Sequence, residues 1–355
     1  MRRAVVGILA AAGLIAAAPA PRPVALGALL ADTPAPTLDA YRLFTDDAGR
    51  EPNAGLTPYD LNTPLFSDYA LKQRYLYLPP GARVRYRAEG AFDFPVGTVL
   101  VKSFSYPADL RRPAESVRTL ETRLLVRRKS GWVALAYVWN PEQTRATLKR
   151  AGARLPVGFI DPAGQPRRID YAVPNANQCK ECHAVDGEIA PIGPRAHALN
   201  RHYPYAEGAE NQLARWTRTG LLTGAPDPVA APRAAAWNDA AAPLEGRARA
   251  YLDANCGHCH NPRGMASNSG LNLNLEEKRP AALGVGKRPV AAGRGSGGRA
   301  VSIAPGDPDG SILVYRMAST EPGVMMPELS RALVHAEGLE LVRAYVAGLR
   351  TGSAP

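Results

Sequence analysis

The stretch Cys179-Lys180-Glu181-Cys182-His183 has the same form as Cys256-Gly257-His258-Cys259-His260, and together they contain every cysteine of the chain. Two thiols three positions apart can each bond to one vinyl group of a single porphyrin, and the histidine that follows can then bind the iron. The pattern therefore predicts two covalently bound haem c groups. Their attachment points are the four cysteines, Cys179, Cys182, Cys256 and Cys259, and their proximal iron ligands are the two adjoining histidines, His183 and His260.

Three other uses of paired cysteines compete with this interpretation: disulfide bonds, half of a zinc site, and a redox pair of the thioredoxin kind. Neither disulfides nor redox pairs require a histidine directly after the second cysteine. Histidine makes up only 6 of 355 residues, so its presence after both pairs is expected by chance about three times in ten thousand. The two histidines therefore favour haem, with zinc as the next interpretation.

Residues 1–27 have the features of a secretory signal peptide. Two arginines precede an apolar run over residues 4–18, which is shorter than the about 20 residues of a membrane-spanning helix. The Ala-Pro-Ala that follows matches a signal-peptidase site, but Pro21 directly after it disfavours cleavage there. Cleavage after Gly27 or Ala31, and an uncleaved membrane anchor, stay open. Because haem c attachment goes together with export in bacteria, we expect a periplasmic protein.

The formal net charge of +11 allows two explanations. A basic face would dock an acidic redox partner protein, with the encounter speeded by electrostatic steering. Alternatively, the excess of arginine reflects a compositional bias, since it accompanies many alanines and prolines along the whole chain. Nucleic-acid binding is not expected of an exported haem protein.

Residues 34–172 are rich in strand signals. Val84 and Tyr86 alternate with arginines, residues 120–127 alternate in the same way, and residues 97–106 and 131–139 add β-prone runs. Such period-two patterns predict an antiparallel sheet with one buried face, in a sandwich or small barrel. This part shows no recognisable catalytic constellation.

The aromatic and polar run over residues 59–69 is the most unusual part of this β-rich region. It could bind a ligand or a partner protein. We favour an ordered loop whose Asp and Asn side chains hold turns and whose rings cover the edge of the sheet.

The chain is thus predicted to be an α+β multidomain protein. A signal peptide over residues 1–27 precedes an antiparallel β-sandwich or barrel-like domain over residues 34–172. An all-α, cytochrome c-like diheme region follows, with the first haem at residues 173–242 and the second at residues 243–350.

Residues 243–350 resemble the class I cytochrome c fold, in the order helix, CxxCH, loop, Met-Pro and closing helix. The first helix is predicted over residues 245–255, and the closing helix carries apolar residues at helical spacing, namely Leu339, Val342, Val346 and Leu349. In that family the distal iron ligand is a loop methionine that proline often follows. The resemblance implies Met326, which precedes Pro327, as the distal ligand of the second haem. Met325 is the alternative, and both methionines could instead fill the core.

The first haem has no such methionine close by in the sequence. His197 and His202 follow His183 within twenty residues, and either would give ligation by two histidines with a lower potential than Met/His ligation. The alternatives are a distant ligand or an open site.

Nearly the whole mature chain resembles a family of exported diheme c-type proteins for which no reaction is established. The resemblance is carried by residues 63–70, 94–99, 120–125 and 211–213. Two classes of function follow from two haems. In an electron-transfer protein, both irons are six-coordinate and relay single electrons; in a diheme peroxidase or oxidoreductase, one haem keeps an open site. We favour electron transfer, and a carbohydrate-binding role for the β-rich part is a third option.

Overall fold

The computed structural model describes residues 22–350, so most of the predicted signal peptide lies outside the described residues. The helices are α1 (Leu26–Leu30), α2 (Ala176–His183), α3 (Ala196–Leu199), α4 (Gln212–Arg218), α5 (Leu244–Leu252), α6 (Pro280–Leu283), α7 (Ile312–Ala318) and α8 (Ala336–Gly348). The strands are β1 (Leu56–Pro58), β2 (Leu71–Tyr77), β3 (Val84–Arg85), β4 (Val99–Tyr106), β5 (Arg118–Arg128), β6 (Gly131–Trp139), β7 (Ala146–Leu148), β8 (Ala153–Ile160), β9 (Pro166–Val173), β10 (Ala184–Val185), β11 (Glu188–Ile189), β12 (His202–Tyr205), β13 (Gly208–Asn211) and β14 (Leu222–Thr223).

A six-stranded antiparallel sheet in the order β1-β2-β4-β5-β6-β7 forms the centre of the N-terminal part. Alternate side chains of its long strands, such as Val101, Leu124 and Tyr137, point to one face and are buried there. The N-terminal segment covers this face, and Leu29 of α1 is fully buried in the same core. Because α1 completes that core, cleavage after Gly27 or Ala31 would remove part of it.

The opposite face of the sheet is covered only at its two ends. The β8–β9 hairpin packs on Phe104, Tyr106 and Val138 at one end. Residues 196–222 pack on Leu76 and Leu100 at the other end. Between these two covers, the middle of the sheet forms one wall of a cavity that also contains the first cysteine motif.

The predicted fold class was wrong, because the chain after residue 172 is not all-α. It contains the hairpin β12–β13 and the pair β10–β11, and β14 pairs in parallel with β3 of the N-terminal part. Glycine and proline interrupt this region frequently, so that α8, with 13 residues, is the longest helix in the described chain. The α-helical cytochrome region expected from the motif order is therefore replaced by short helices, short strands and long loops.

Two individual helices nevertheless lie where the sequence predicts them. Helix α5 precedes the second motif and runs into a π-helical turn over Asp253–Gly257. Helix α8 packs against α5, and its buried Val342 and Val346 share a core with Leu252. None of the helices in residues 22–350 is long and apolar enough to cross a membrane.

Residues 59–69, here called the linking segment, form an ordered loop, as the sequence predicts, but its Asp and Asn side chains bind distant residues where local turns were expected. The segment hydrogen-bonds to both cysteine-motif regions: Asn62 donates to the carbonyl of His197, and the amide of Phe66 donates to Asn255 beside Cys256. Asp68 accepts hydrogen bonds from the backbone of Ala332 and Leu333. The linking segment therefore ties the sheet to the parts of the chain that carry the predicted haem ligands.

Candidate functional site

The first cysteine motif lies on α2, and its helix start is well defined. The Asn175 side chain accepts a hydrogen bond from the Gln178 amide, while the Gln178 side chain accepts one from the Asn175 amide. This reciprocal capping fixes the first turn of α2. Cys179 and Cys182, three residues apart on adjacent turns, then line the same cavity.

The cavity has a volume of about 500 Å³, within the range of roughly 300–1,000 Å³ that small-molecule and cofactor sites occupy. The sheet forms one wall, α2 forms another, and residues 320–332 contribute a third. The side chains on it that can bond to a porphyrin or its iron are Cys179, Cys182, His183, His258, Met325 and Lys102. In size and in chemistry this cavity fits a haem.

A hydrogen bond fixes the ring of His183. Its Nδ1 lies 2.8 Å from the carbonyl oxygen of Ala190, to which it donates in the tautomer protonated there. Nε2 is then the nitrogen left free, and a hydrogen bond from the other ring nitrogen is typical of metal-bound histidines. Burial lowers the pKa of His183 to about 4, so the imidazole is neutral at physiological pH, as metal binding requires.

His260 of the second motif has a similar arrangement. Its Nδ1 lies 3.0 Å from the Ser269 hydroxyl, and burial lowers its pKa to about 4. Cys256 and Met326 line one small pocket of about 20 Å³, which has room for about one water molecule. Cys259 and His260 do not line this pocket, and it is far too small for a haem, so the second motif does not enclose a site of haem size as it lies in this structure.

The two predicted methionine ligands lie in different places. Met326 is next to Cys256 in the small pocket, whereas Met325 lines the large cavity together with the first motif. Met326 therefore lies beside the second motif, and Met325 lies on the same cavity as the first.

Neither predicted distal ligand of the first haem lines the cavity. His197 is 2 % exposed, and its two ring nitrogens lie 3.2 Å from Asp253 and 3.3 Å from Glu276. Burial lowers the pKa of His197, but the hydrogen bonds to the two carboxylates outweigh it and leave the pKa raised. Both ring nitrogens are engaged in this ion-paired cluster, so neither is free for iron. His202 lies on the exposed edge of the β12–β13 hairpin.

A row of three cations faces the cavity from the sheet, and it is here called the cation row: Arg74 on β2, Lys102 on β4 and Arg123 on β5. These residues are directly opposite one another in the strand register, and all three line the cavity. Like charges in such positions repel. Burial, followed by Arg74 and other neighbouring cations, holds the pKa of Lys102 well below its usual range.

The cation row is only partly neutralised by the protein. Arg74 pairs with Asp60 at 2.6 Å, and Arg123 pairs with Glu121. Lys102 Nζ instead lies 4.7 Å from the centre of the Phe104 ring. Buried nitrogens of two of these residues, Arg74 Nη2 and Arg123 Nε, find no hydrogen-bond partner in the described chain. With three basic groups and two paired carboxylates, the row fits a ligand with negative charge, such as the carboxylates of a haem.

The four cysteines are not arranged as a disulfide or a structural zinc site would arrange them. All four thiols are free, and no disulfide links them. Within residues 22–350, no three or more His, Cys, Asp or Glu side chains are grouped as a metal ion would require, whereas a structural zinc site needs four such ligands.

Comparison with protein-family models, curated proteins and solved structures gives no match.

Sequence reasoning missed two features of the site. His258 occupies a spacer position between two cysteines and yet lines the cavity of the other motif. The cation row becomes visible only once the strand register is known, because its members are separated by 28 and 21 positions in the numbering. Alternation along each strand would have placed each cation on a face, but not beside the others.

Proposed function

We propose that this protein is an exported diheme c-type cytochrome of the periplasm that transfers single electrons. The observation that carries the proposal is the cavity of about 500 Å³ in which Cys179, Cys182 and His183 meet, with His183 Nδ1 already committed to a backbone carbonyl. When bound, haem c supplies an iron that exchanges one electron between its ferric and ferrous states.

The residues around the cavity have separate roles in this proposal. Cys179 and Cys182 form the thioether bonds, and His183 provides Nε2 to the iron. The hydrogen bond from His183 to Ala190 fixes the ring and raises the basicity of the ligand. The cation row neutralises carboxylate charge inside a site that excludes much of the solvent. The sheet is therefore a wall of the haem site, beyond any role in docking a partner.

At the second motif, Cys256 and Cys259 would form the thioether bonds, and His260 and Met326 would hold the iron. The support comes from the motif itself, from the His260–Ser269 hydrogen bond and from the position of Met326 beside Cys256. A methionine ligand gives this centre a higher potential than a second histidine would. The excess of basic residues favours a redox partner with an acidic surface.

A second candidate function is that of a diheme oxidoreductase or peroxidase with an open iron site at the first motif. The observation that favours it is the size of the cavity next to His183. In addition, Arg74 and Arg123 each pair with a carboxylate, whereas Lys102 between them lies over the Phe104 ring. A small anionic substrate would fit there.

The decisive experiment is the spectrum of the full-length protein matured in a bacterial periplasm, with haem counted as the pyridine haemochrome. We expect two haems per chain, and one per chain after Cys179→Ala with Cys182→Ala, or after Cys256→Ala with Cys259→Ala. Protein that is folded and carries zinc or no haem would refute the proposal. Absence of a carbon monoxide adduct supports electron transfer, whereas one adduct per chain supports the oxidoreductase.

A further inference from the structure

The imidazole of His258 has no role in the second motif to which it belongs. It lines the large cavity together with Cys182 and His183, whereas Cys256, two positions earlier, lines the small pocket. The Nδ1 atom of His258 is buried and has no hydrogen-bond partner in residues 22–350. No hydrogen bond therefore ties this ring nitrogen to the described protein, and the imidazole that lines the cavity is not held by a partner there.

We infer that His258 is the distal iron ligand of the haem bound at the first motif, opposite His183. The inference rests on the proposed function and adds the identity of this ligand. It replaces the two histidines expected from the sequence. His197 has both ring nitrogens close to carboxylates, and His202 lies on an exposed hairpin.

The backbone around His258 explains why a spacer residue can serve the other haem. The turn over Asp253–Gly257 is π-helical, and the amides of Cys259 and His260 both donate to the carbonyl of Cys256. Residues two positions apart on a helical turn point in nearly opposite directions. With the side chain of Cys256 directed to one side, His258 is directed to the other, towards α2.

Two other side chains on the cavity could compete for the iron. Met325 offers a thioether, and Lys102 offers an amine. Lys102 lies over the Phe104 ring within the cation row, where its charge suits a carboxylate. Met325 would give the first haem the same ligand type as the second, whereas His258 gives two histidines and a lower potential. The choice between them is therefore visible in the spectrum and in the potential.

Ligation by His258 would couple the two haems through the chain. The residue lies between Cys256 and Cys259, so the backbone that holds one haem also supplies an iron ligand to the other. The connection through residues 256–260 gives a short bonded route between the centres. A change of ligand at one haem is then expected to be felt at the second.

The test uses His258→Ala in the full-length, periplasmically matured protein. Because both cysteines and His260 are retained, we expect two haems per chain. We expect the ferric form to gain one high-spin haem and the ferrous form to bind one carbon monoxide per chain. His258→Met should restore six-coordination and raise the potential of that haem. His202→Ala is the matched control, and it should behave as the wild-type protein does.

Two outcomes would overturn the inference. One is a His258→Ala protein with two haems, an unchanged ferric spectrum and no carbon monoxide adduct. The other is an adduct produced by Met325→Ala instead. If the alanine variant fails to mature, near-infrared magnetic circular dichroism of the wild-type protein decides, since ligation by two histidines and ligation by His and Met differ there. Two His/Met haems would contradict the inference, and a wild-type protein without haem would instead refute the proposed function.

Discussion

Replacement of Asp68 by alanine should loosen the segment that carries Met325 and Met326 while leaving the sheet intact. The Asp68 side chain is 3 % exposed, and its carboxylate accepts hydrogen bonds from the amides of Ala332 and Leu333, each at 2.8 Å. These bonds join the linking segment to a part of the chain more than 260 positions away. We therefore expect the loss to act mainly at the second haem.

The size of the effect follows from which groups lose their partners. An amide left buried without a partner costs about 1–3 kcal/mol. Ala332 is exposed, so its amide can turn to water, whereas Leu333 is half-buried. Burial raises the pKa of Asp68, which means that the carboxylate is itself poorly solvated, and removing it recovers part of the cost. We expect a net loss of about 1–3 kcal/mol, which corresponds to a rise of about 5–150-fold in the open population of the segment.

The assay is carbon monoxide binding to the ferrous protein, with urea unfolding measured in parallel. Asp161→Ala is the matched control, because this carboxylate is equally buried but accepts only from nearby groups, the Gln165 amide and Arg167, beside the β8–β9 turn. Both variants should lose stability, and only Asp68→Ala should bind carbon monoxide at the second haem. This reasoning would be refuted if Asp68→Ala lowered the free energy of unfolding by less than about 0.5 kcal/mol and formed no carbon monoxide adduct. The same carbon monoxide adduct in both variants would also refute it.

Three further changes address single features of the site. Met326→Ala should lower the potential of the second haem and open it to carbon monoxide; an effect of Met325→Ala alone would assign the ligand to that residue. A haem carboxylate beside Lys102 would favour its charged form again, so Lys102→Gln should lower the potential of the first haem in a spectroelectrochemical titration, because a nearby positive charge favours the reduced form. Arg127→Gln removes a cation of β5 that does not line the cavity and should not change the potential. Burial raises the pKa of Asp253, but Arg195 and the other partners outweigh it and hold that pKa at about 2. Ionised Asp253 therefore adds about 2–3 kcal/mol to the free energy of unfolding above about pH 4, and this contribution is lost as the pH falls to about 2. Urea unfolding of Asp253→Asn should lack this dependence on pH.

The sequence predicts those parts of the structure that depend on near neighbours. The β-prone runs at residues 97–106 and 131–139 correspond to β4 and β6, and the apolar spacing after Leu339 corresponds to α8. Each of these signals is contained within about a dozen residues. The spacing of the cysteine motifs is equally local, which is why the haem prediction could be made from the sequence alone.

The sequence does not predict what depends on distant pairing. The parallel pair β3–β14 joins residues 84–85 to residues 222–223, and no local pattern indicates it. Strand β12 contains Pro204, which disfavours strands in general but is tolerated in a short edge hairpin. The resemblance to a helical cytochrome therefore misled the fold prediction for the second half, although it indicated α5 and α8 correctly.

The cation row gives the sheet a physical reason to belong to the proposed haem site. Three aligned cations on adjacent strands weaken a sheet, and burial makes their repulsion stronger because the local dielectric constant is low. Two carboxylates, Asp60 and Glu121, each pair with one of the arginines, and Lys102 between them lies against an aromatic ring. A site of this kind is most stable when an anion enters the cavity. If the carboxylates of a haem supply that charge, binding of the haem at the first motif also stabilises the sheet. The β-rich part then cannot be regarded as a separate docking module.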